Sequence, residues 1–164
     1  MREVDRGDAD LVLKLYDLRR ESELRKARTF IGEFEPKTID DVKAISNWEH
    51  PENAHFRQVM SYWGMVADFV TRGLLHPEMF AAHCGEAVFI YAKFEPLLAQ
   101  IRAEVNPMFL ANVEAAIKSH PAPQAKLTQI RDMFARMAAA AATAKASAKA
   151  PASARKPSKS KPKR

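Results

Sequence analysis

Cysteine is almost absent: Cys84 is the only one in 164 residues, so the chain closes no disulfide on itself, and this usage fits a reducing compartment. Glycine is scarce as well, at five residues. None of them builds a G-x-x-x-x-G-K-[ST], G-x-G-x-x-G or G-x-S-x-G signature, so phosphate-loop, dinucleotide-loop and nucleophile-elbow enzymes lack their usual signal. No run alternates β-branched with polar residues, which argues against a sheet. No stretch reaches eighteen uncharged apolar residues, and the opening MREVDRGDADLVLKLYDLRR is too charged for a signal peptide or a spanning helix. The expectation is a cytoplasmic protein with no transmembrane segment.

Acidic charge is missing from the C-terminal end. From Ala138 onward there are eight basic residues (Lys145, Lys149, Arg155, Lys156, Lys159, Lys161, Lys163, Arg164) and no acidic one, whereas the preceding 137 residues hold 18 basic and 20 acidic groups. The formal net charge of +6 therefore lies in the tail, and the remainder is close to neutral.

What the chain does have is helical periodicity. Asn53 to Leu75 repeats apolar residues at three- and four-residue steps: Phe56, Val59, Met60, Trp63, Val66, Ala67, Val70 and Leu74. Tyr62, Met65 and Phe69 form a second apolar set on a neighbouring face. A helix apolar over so much of its girth belongs at the centre of a bundle. Pro51 suits its approach and Gly73 its stop.

Ahead of it, Asp8 to about Ile31 reads as one helix, capped by Asp8 or Asp10, with the stripe Leu11, Leu15, Leu18, Phe30 and Ile31. The charged run Arg19 to Arg28 reads as a solvated face, or as a surface for a partner or second subunit. Pro36 breaks the pattern. Thr38 and Asp41 have capping-box spacing for a short helix that docks Val42 and Ile45. Trp48 falls in a connection as a lid on the edge of the core.

After the central helix, Pro77 opens a run with Phe80, Cys84, Ala87, Tyr91, Phe94, Leu98 and Ile101 on one face. The short link predicts an antiparallel αα-hairpin, and Pro96 predicts a kink near Lys93–Glu95. Asn106–Pro107 reads as the start of a helix with Phe109, Val113, Ala116 and Ile117. The last helix, from about Gln124, would bury Leu127, Ile130, Met133, Phe134 and Met137 and continue into polyalanine. From about Thr143 the chain has nothing to bury and is expected to be disordered. The architecture is thus all-α: a bundle of five or six helices over residues 1–137, then a basic tail over 138–164, helical at its start.

Candidate chemistry is sparse. His50, His55, His76, His83 and Cys84 match no helix-face or paired-ligand spacing for a metal. Cys84 has only His83 beside it, and sequence neighbours on a helix do not face each other, so it reads as a small buried apolar group. Glu78, Glu86, Glu95 and Glu104 read as solvated faces of apolar helices. The helix after Gly73 has one basic residue, Lys93, before Phe94, which is not the surface of a DNA-recognition helix. No catalytic, cofactor or metal set emerges.

The tail resembles in composition the lysine- and alanine-rich tails of linker histones and of some nucleoid proteins. Spaced charges on a flexible chain can neutralise phosphates without reading sequence; they can equally serve as a solubilising end or bind an anionic membrane. Its eight basic residues are the candidate polyanion contacts. The order LYDLRRESELRKARTFI, DDVKAI, FRQVMSYWGMVADFVTRGLLHPEMF, AVFIYAKFEPLLAQIRAEVNPMF resembles a family of small bacterial helical proteins catalogued as a domain of unknown function. The likeness covers Leu11 to Ile117 and rests on Gly73, Leu74, Leu75, Glu78, the Phe89–Phe94 run and Arg102. Many members of that family carry an N-terminal membrane helix; none is expected from this sequence, which puts a membrane role in doubt. The resemblance implies the helical fold and no catalytic residue. The expected function is a non-enzymatic binding or scaffold protein whose helical core contacts a protein partner or itself. The alternative is a sequence-non-specific nucleic-acid binder acting through the tail.

Overall fold

A computed structural model describes residues 2–149, with side chains to residue 145. Among the described residues the fold is all-α, with no strand. Nine α-helices follow in order: α1 (Arg6–Arg19), α2 (Ser22–Glu33), α3 (Ile39–Ser46), α4 (Asn53–Thr71), α5 (Pro77–His83), α6 (Gly85–Phe94), α7 (Leu98–Glu104), α8 (Ala111–Lys118) and α9 (Pro121–Lys149), with a 3₁₀ turn at Glu95–Leu97. The chain divides into two units, Met1–Arg131 and Asp132–Arg164, and α9 runs through the division. No helix among the described residues is long and apolar enough to cross a membrane.

The first unit is built around α4, as its girth of apolar residues requires. Phe56, Val59, Tyr62, Trp63, Val66, Ala67 and Val70 are all buried, each valine and the phenylalanine contributing about 1.5–3 kcal/mol relative to exposure. Its extensive neighbours are α2 and α8. An aromatic cluster ties these layers: Phe94 lies edge-on to Phe56 at 6.2 Å and to Phe109 at 5.3 Å, and Phe34 meets it at 6.3 Å. Gly73, at φ 73°, ends the region in the left-handed conformation that glycine adopts without a steric penalty. The chain then turns sharply, leaving Leu74 57% exposed and Leu75 fully buried, the reverse of the periodic expectation for Leu74. Met65, from the second apolar set, is also exposed.

Helices are more numerous than five or six because polar groups and one proline interrupt the long periodic runs. The run expected from Asp8 to Ile31 is two helices. Glu21 leaves helical geometry (φ −55°, ψ 138°), and its carboxylate accepts from Glu23 N and Leu24 N, capping α2. This turn exposes Leu18 and makes Val12, Leu15, Leu24, Ala27 and Ile31 the buried stripe. The cap of α1 is Asp5 rather than Asp8 or Asp10. Asp8 is the reciprocal member of its capping box.

The run from Pro77 breaks twice, at Cys84, which ends α5 and precedes α6, and at the 3₁₀ turn holding Pro96. Consequently the partner after α4 is not one long helix, but its second part, α6, does run antiparallel to α4, with Trp63 meeting Glu86 and Phe56 meeting Phe94. α5 packs against α1, α4 and α6, while α6 packs against α8. The Thr38–Asp41 capping box is present. Asn106 caps a turn, its Oδ1 accepting from Met108 N at 2.9 Å, but α8 begins only at Ala111, after Leu110 at φ 53°. His120 Nδ1 accepts from Ala122 N, which starts α9 at Pro121 instead of Gln124. Leu127 and Ile130 are buried, whereas Met133 and Phe134 are half-buried and Met137 is exposed. The polyalanine stretch is helical, as expected from its propensity. The disorder expected from about Thr143 gives way to helix at first, since α9 continues to Lys149 because its alanine-rich sequence favours helix; the rest of that expectation, 150–164, lies outside the described residues.

Candidate functional site: a charged hub and an aromatic groove

Glu86 sits in the first turn of α6 and shares a helix face with Ile90, four residues on, and Lys93, seven residues on. The sequence reading of a solvated carboxylate is overturned. Arg28 donates to Glu86 from both Nε, at 2.9 and 3.0 Å, and Nη2, at 2.6 Å. Arg19 donates from Nη2 at 3.0 Å, and the Trp63 indole N–H points at the same carboxylate from 3.4 Å. The three charged side chains are 15–26% exposed, so the run Arg19–Arg28 is not wholly a solvated face: its two ends turn inward. The Arg19 guanidinium also lies over the Trp63 ring at 5.2 Å and the Tyr16 ring at 4.9 Å.

The surroundings of this hub are apolar and inert. Tyr62 donates to Leu15 O at 2.8 Å, and burial pushes its phenol up to about 12. Burial likewise pushes the Cys84 thiol to about 12, with Arg19 pulling slightly the other way. A thiol held protonated is no nucleophile, and the cysteine acts as the small buried group its position suggested. The hub thus joins α1, α2, α4 and α6 electrostatically. Lys93 performs a related task, donating to Ile31 O, Gly32 O and Phe34 O at 2.6–3.0 Å and so satisfying the orphan carbonyls at the end of α2.

The four candidate histidines are dispersed. His50 Nδ1 accepts from Glu52 N, His55 pairs with Glu52 at 2.6 Å, His76 caps α5, and His83 is exposed. Among the described residues no group of three or more His, Cys, Asp and Glu could hold a metal. His76 belongs instead to an N-terminal clasp. Arg2 grips the fully buried Asp8 through two bonds of 2.6 Å, and Asp8 also accepts from Asp5 N at 2.9 Å and His76 N at 2.7 Å. The Arg2 guanidinium holds the Asp8 carboxyl well below the usual carboxylate range, against the opposing effect of burial. The D-x-x-D spacing of Asp5 and Asp8, the same as Thr38 to Asp41, was the signal for this cap.

A second feature lies on the surface. A groove of about 490 Å³ opens between α4 and the turn before α8, floored by Phe56 and Phe109 and lined by Met60, Met108 and Arg57 among others. Arg57 is steadied by Asn53 at 2.9 Å and stacks 4.0 Å from the centre of the Trp48 ring. Trp48 is 75% exposed. It does not cover the core edge as expected; it stands beside the groove under an arginine. Trp48 and Met108 (69% exposed) are the most exposed large apolar residues described.

Of the eight candidate tail residues, Lys145 is exposed on α9, and Lys149 is its last residue. Arg155, Lys156, Lys159, Lys161, Lys163 and Arg164 lie outside the described residues.

No curated protein and no solved structure matches the chain. A family model described as Domain of unknown function (DUF4760) matches residues 6–119. That span runs from the first residue of α1 to just past the end of α8, and it includes the hub and the groove. The chain belongs to this family.

Proposed function

We propose that the protein is a non-enzymatic binding module of the cytoplasm, whose helical body engages a protein partner through the groove beside Trp48. The observation that carries this reading is the exposed Trp48–Arg57 stack next to an apolar trough edged by two methionines. Trp and Arg are the residues most enriched where binding energy concentrates, and methionine adapts its shape to a partner surface. An exposed indole held by an arginine has little rotamer freedom left to lose on docking. The basic tail adds weak, salt-sensitive attraction to polyanions.

A photoreactive residue at Ser61, which lines the groove, tests this in living cells. The expected result is a discrete crosslinked adduct that disappears with Trp48→Ala. Equal crosslinking from a control position at Ser22 on α2 would refute the groove as the contact surface. Sedimentation at several concentrations would show whether the adduct is a second copy of the chain.

The charge asymmetry of the sequence favours one second reading, a non-specific nucleic-acid binder using the tail. Fluorescence anisotropy of duplex DNA and RNA would compare the full chain with one ending at Ala142. Full pairing of eight basic groups with duplex phosphates gives a log–log salt slope approaching ~−7. Binding that is steep in salt and lost with the tail supports this reading, and no binding by either protein removes it.

A further inference from the structure

The face where α6, α8 and the start of α9 meet carries a second cleft of about 490 Å³, remote in sequence from Trp48 and lined by Tyr91, Glu95, Glu114, Lys118, Leu127 and Arg131 among others. Its charged groups come in pairs. Arg131 forms a two-pronged pair with Glu95. Glu114 is paired with Lys118 and, from behind, with Arg102 at 2.6 Å. Tyr91 lies between them. It is 6% exposed, yet its phenol makes no hydrogen bond among the described residues, unlike that of Tyr62. The ring is buried, but the hydroxyl still reaches solvent, so it faces the cleft as a donor with no protein acceptor.

We infer that this cleft binds a small aliphatic zwitterion, an α-amino acid being the simplest form. The lining presents two carboxylates and two cations. A net anion would confront Glu95 and Glu114, and a net cation would confront Arg131 and Lys118. A molecule with both charges can exchange partners with the existing ion pairs without leaving any charge alone. Burial and the nearby Glu114 and Glu95 keep the Tyr91 phenol protonated, so it serves as a donor and its natural acceptor is a ligand carboxylate oxygen. Leu127 and Ile117 supply an apolar wall, which suits an aliphatic side chain over a polar one.

The test is an NMR titration of the full chain, following backbone amides of residues 91–95, 114–118 and 124–131, with three probes matched in shape. L-Leucine carries both charges, 4-methylpentanoate lacks the ammonium, and leucinamide lacks the carboxylate. The expected result is saturable shifts confined to these segments with leucine and at least tenfold weaker response to the other two. Tyr91→Phe, which keeps the ring and its packing, should weaken leucine binding several-fold, as loss of one hydrogen bond to a charged group does. No saturable shift with leucine at millimolar concentration overturns the proposal. Equal binding of 4-methylpentanoate, or a Tyr91→Phe protein that binds leucine unchanged, overturns it as well. Circular dichroism of Tyr91→Phe separates loss of binding from loss of fold.

Discussion

Replacing Glu86 with glutamine keeps the shape of the side chain and removes the one anion that Arg19 and Arg28 share. Both guanidinium groups then remain in the protein, 15% and 26% exposed at the side chain, with a neutral amide between them. Removing one partner of a fully buried ion pair costs about 3–5 kcal/mol. The partial exposure here lets water reach the stranded charges, so the lower end applies, about 3 kcal/mol. At roughly 2–4 °C per kcal/mol for a chain of this size, the midpoint of thermal unfolding should fall by about 6–12 °C. Circular dichroism through the melt measures this directly.

A double-mutant cycle makes the test specific. With Arg28→Met added to Glu86→Gln, one stranded cation is gone, and the pair should recover part of the loss. An interaction energy of about 1 kcal/mol or more is expected, within the range seen for residues in direct contact. A melting point within about 2 °C of the native protein, or a cycle that is additive to within about 0.5 kcal/mol, would refute the hub as a stabilising element.

Two further outcomes follow from buried titratable groups. Asp8 has its folded-state pKa depressed by Arg2, so its contribution is complete above the unfolded carboxylate value near ~4 and is lost as pH falls toward the folded value. Unfolding by urea at pH 7, 4 and 3 should show stability declining below about pH 4, and Asp8→Asn should make that decline shallower; an unchanged slope would mean Asp8 is not linked to folding. Cys84 is 3% exposed with its thiol pushed to about 12, so at pH 8 a thiol reagent should label the folded chain only as fast as it opens. Labelling at the rate of a free thiol in the absence of denaturant would contradict its burial.

The parts of the fold that were legible in sequence are those fixed by local chemistry. α4 announced itself through residues three and four apart, and Thr38 with Asp41 announced α3, because capping is settled within one turn. Gly73 marked a left-handed stop. The parts that were not legible depend on residues far apart in the chain. Nothing near Glu86 indicates that Arg28, 58 residues earlier, will reach it. The same carboxylate on an exposed face would look identical in sequence, apart from its position in line with Ile90. Glu21 was hidden for a different reason. It lies in a charged run that supports an unbroken helix by composition, and only its backbone geometry shows it starting a new one. The Trp48–Arg57 stack and the Tyr91 cleft likewise require the chain to be folded before they exist.

The two tryptophans occupy opposite environments: Trp63 is 1% exposed beside Glu86, and Trp48 is 75% exposed beneath Arg57. The protein therefore carries two natural fluorophores with separable emission, a blue-shifted one inside and a red-shifted one outside. A partner settling into the groove should alter the red component alone, through loss of water around the indole and displacement of the cation above it. Loosening of the hub should alter the blue component alone. A single unlabelled sample can thus distinguish a binding event from a folding event, with Trp48→Phe and Trp63→Phe serving to assign each signal.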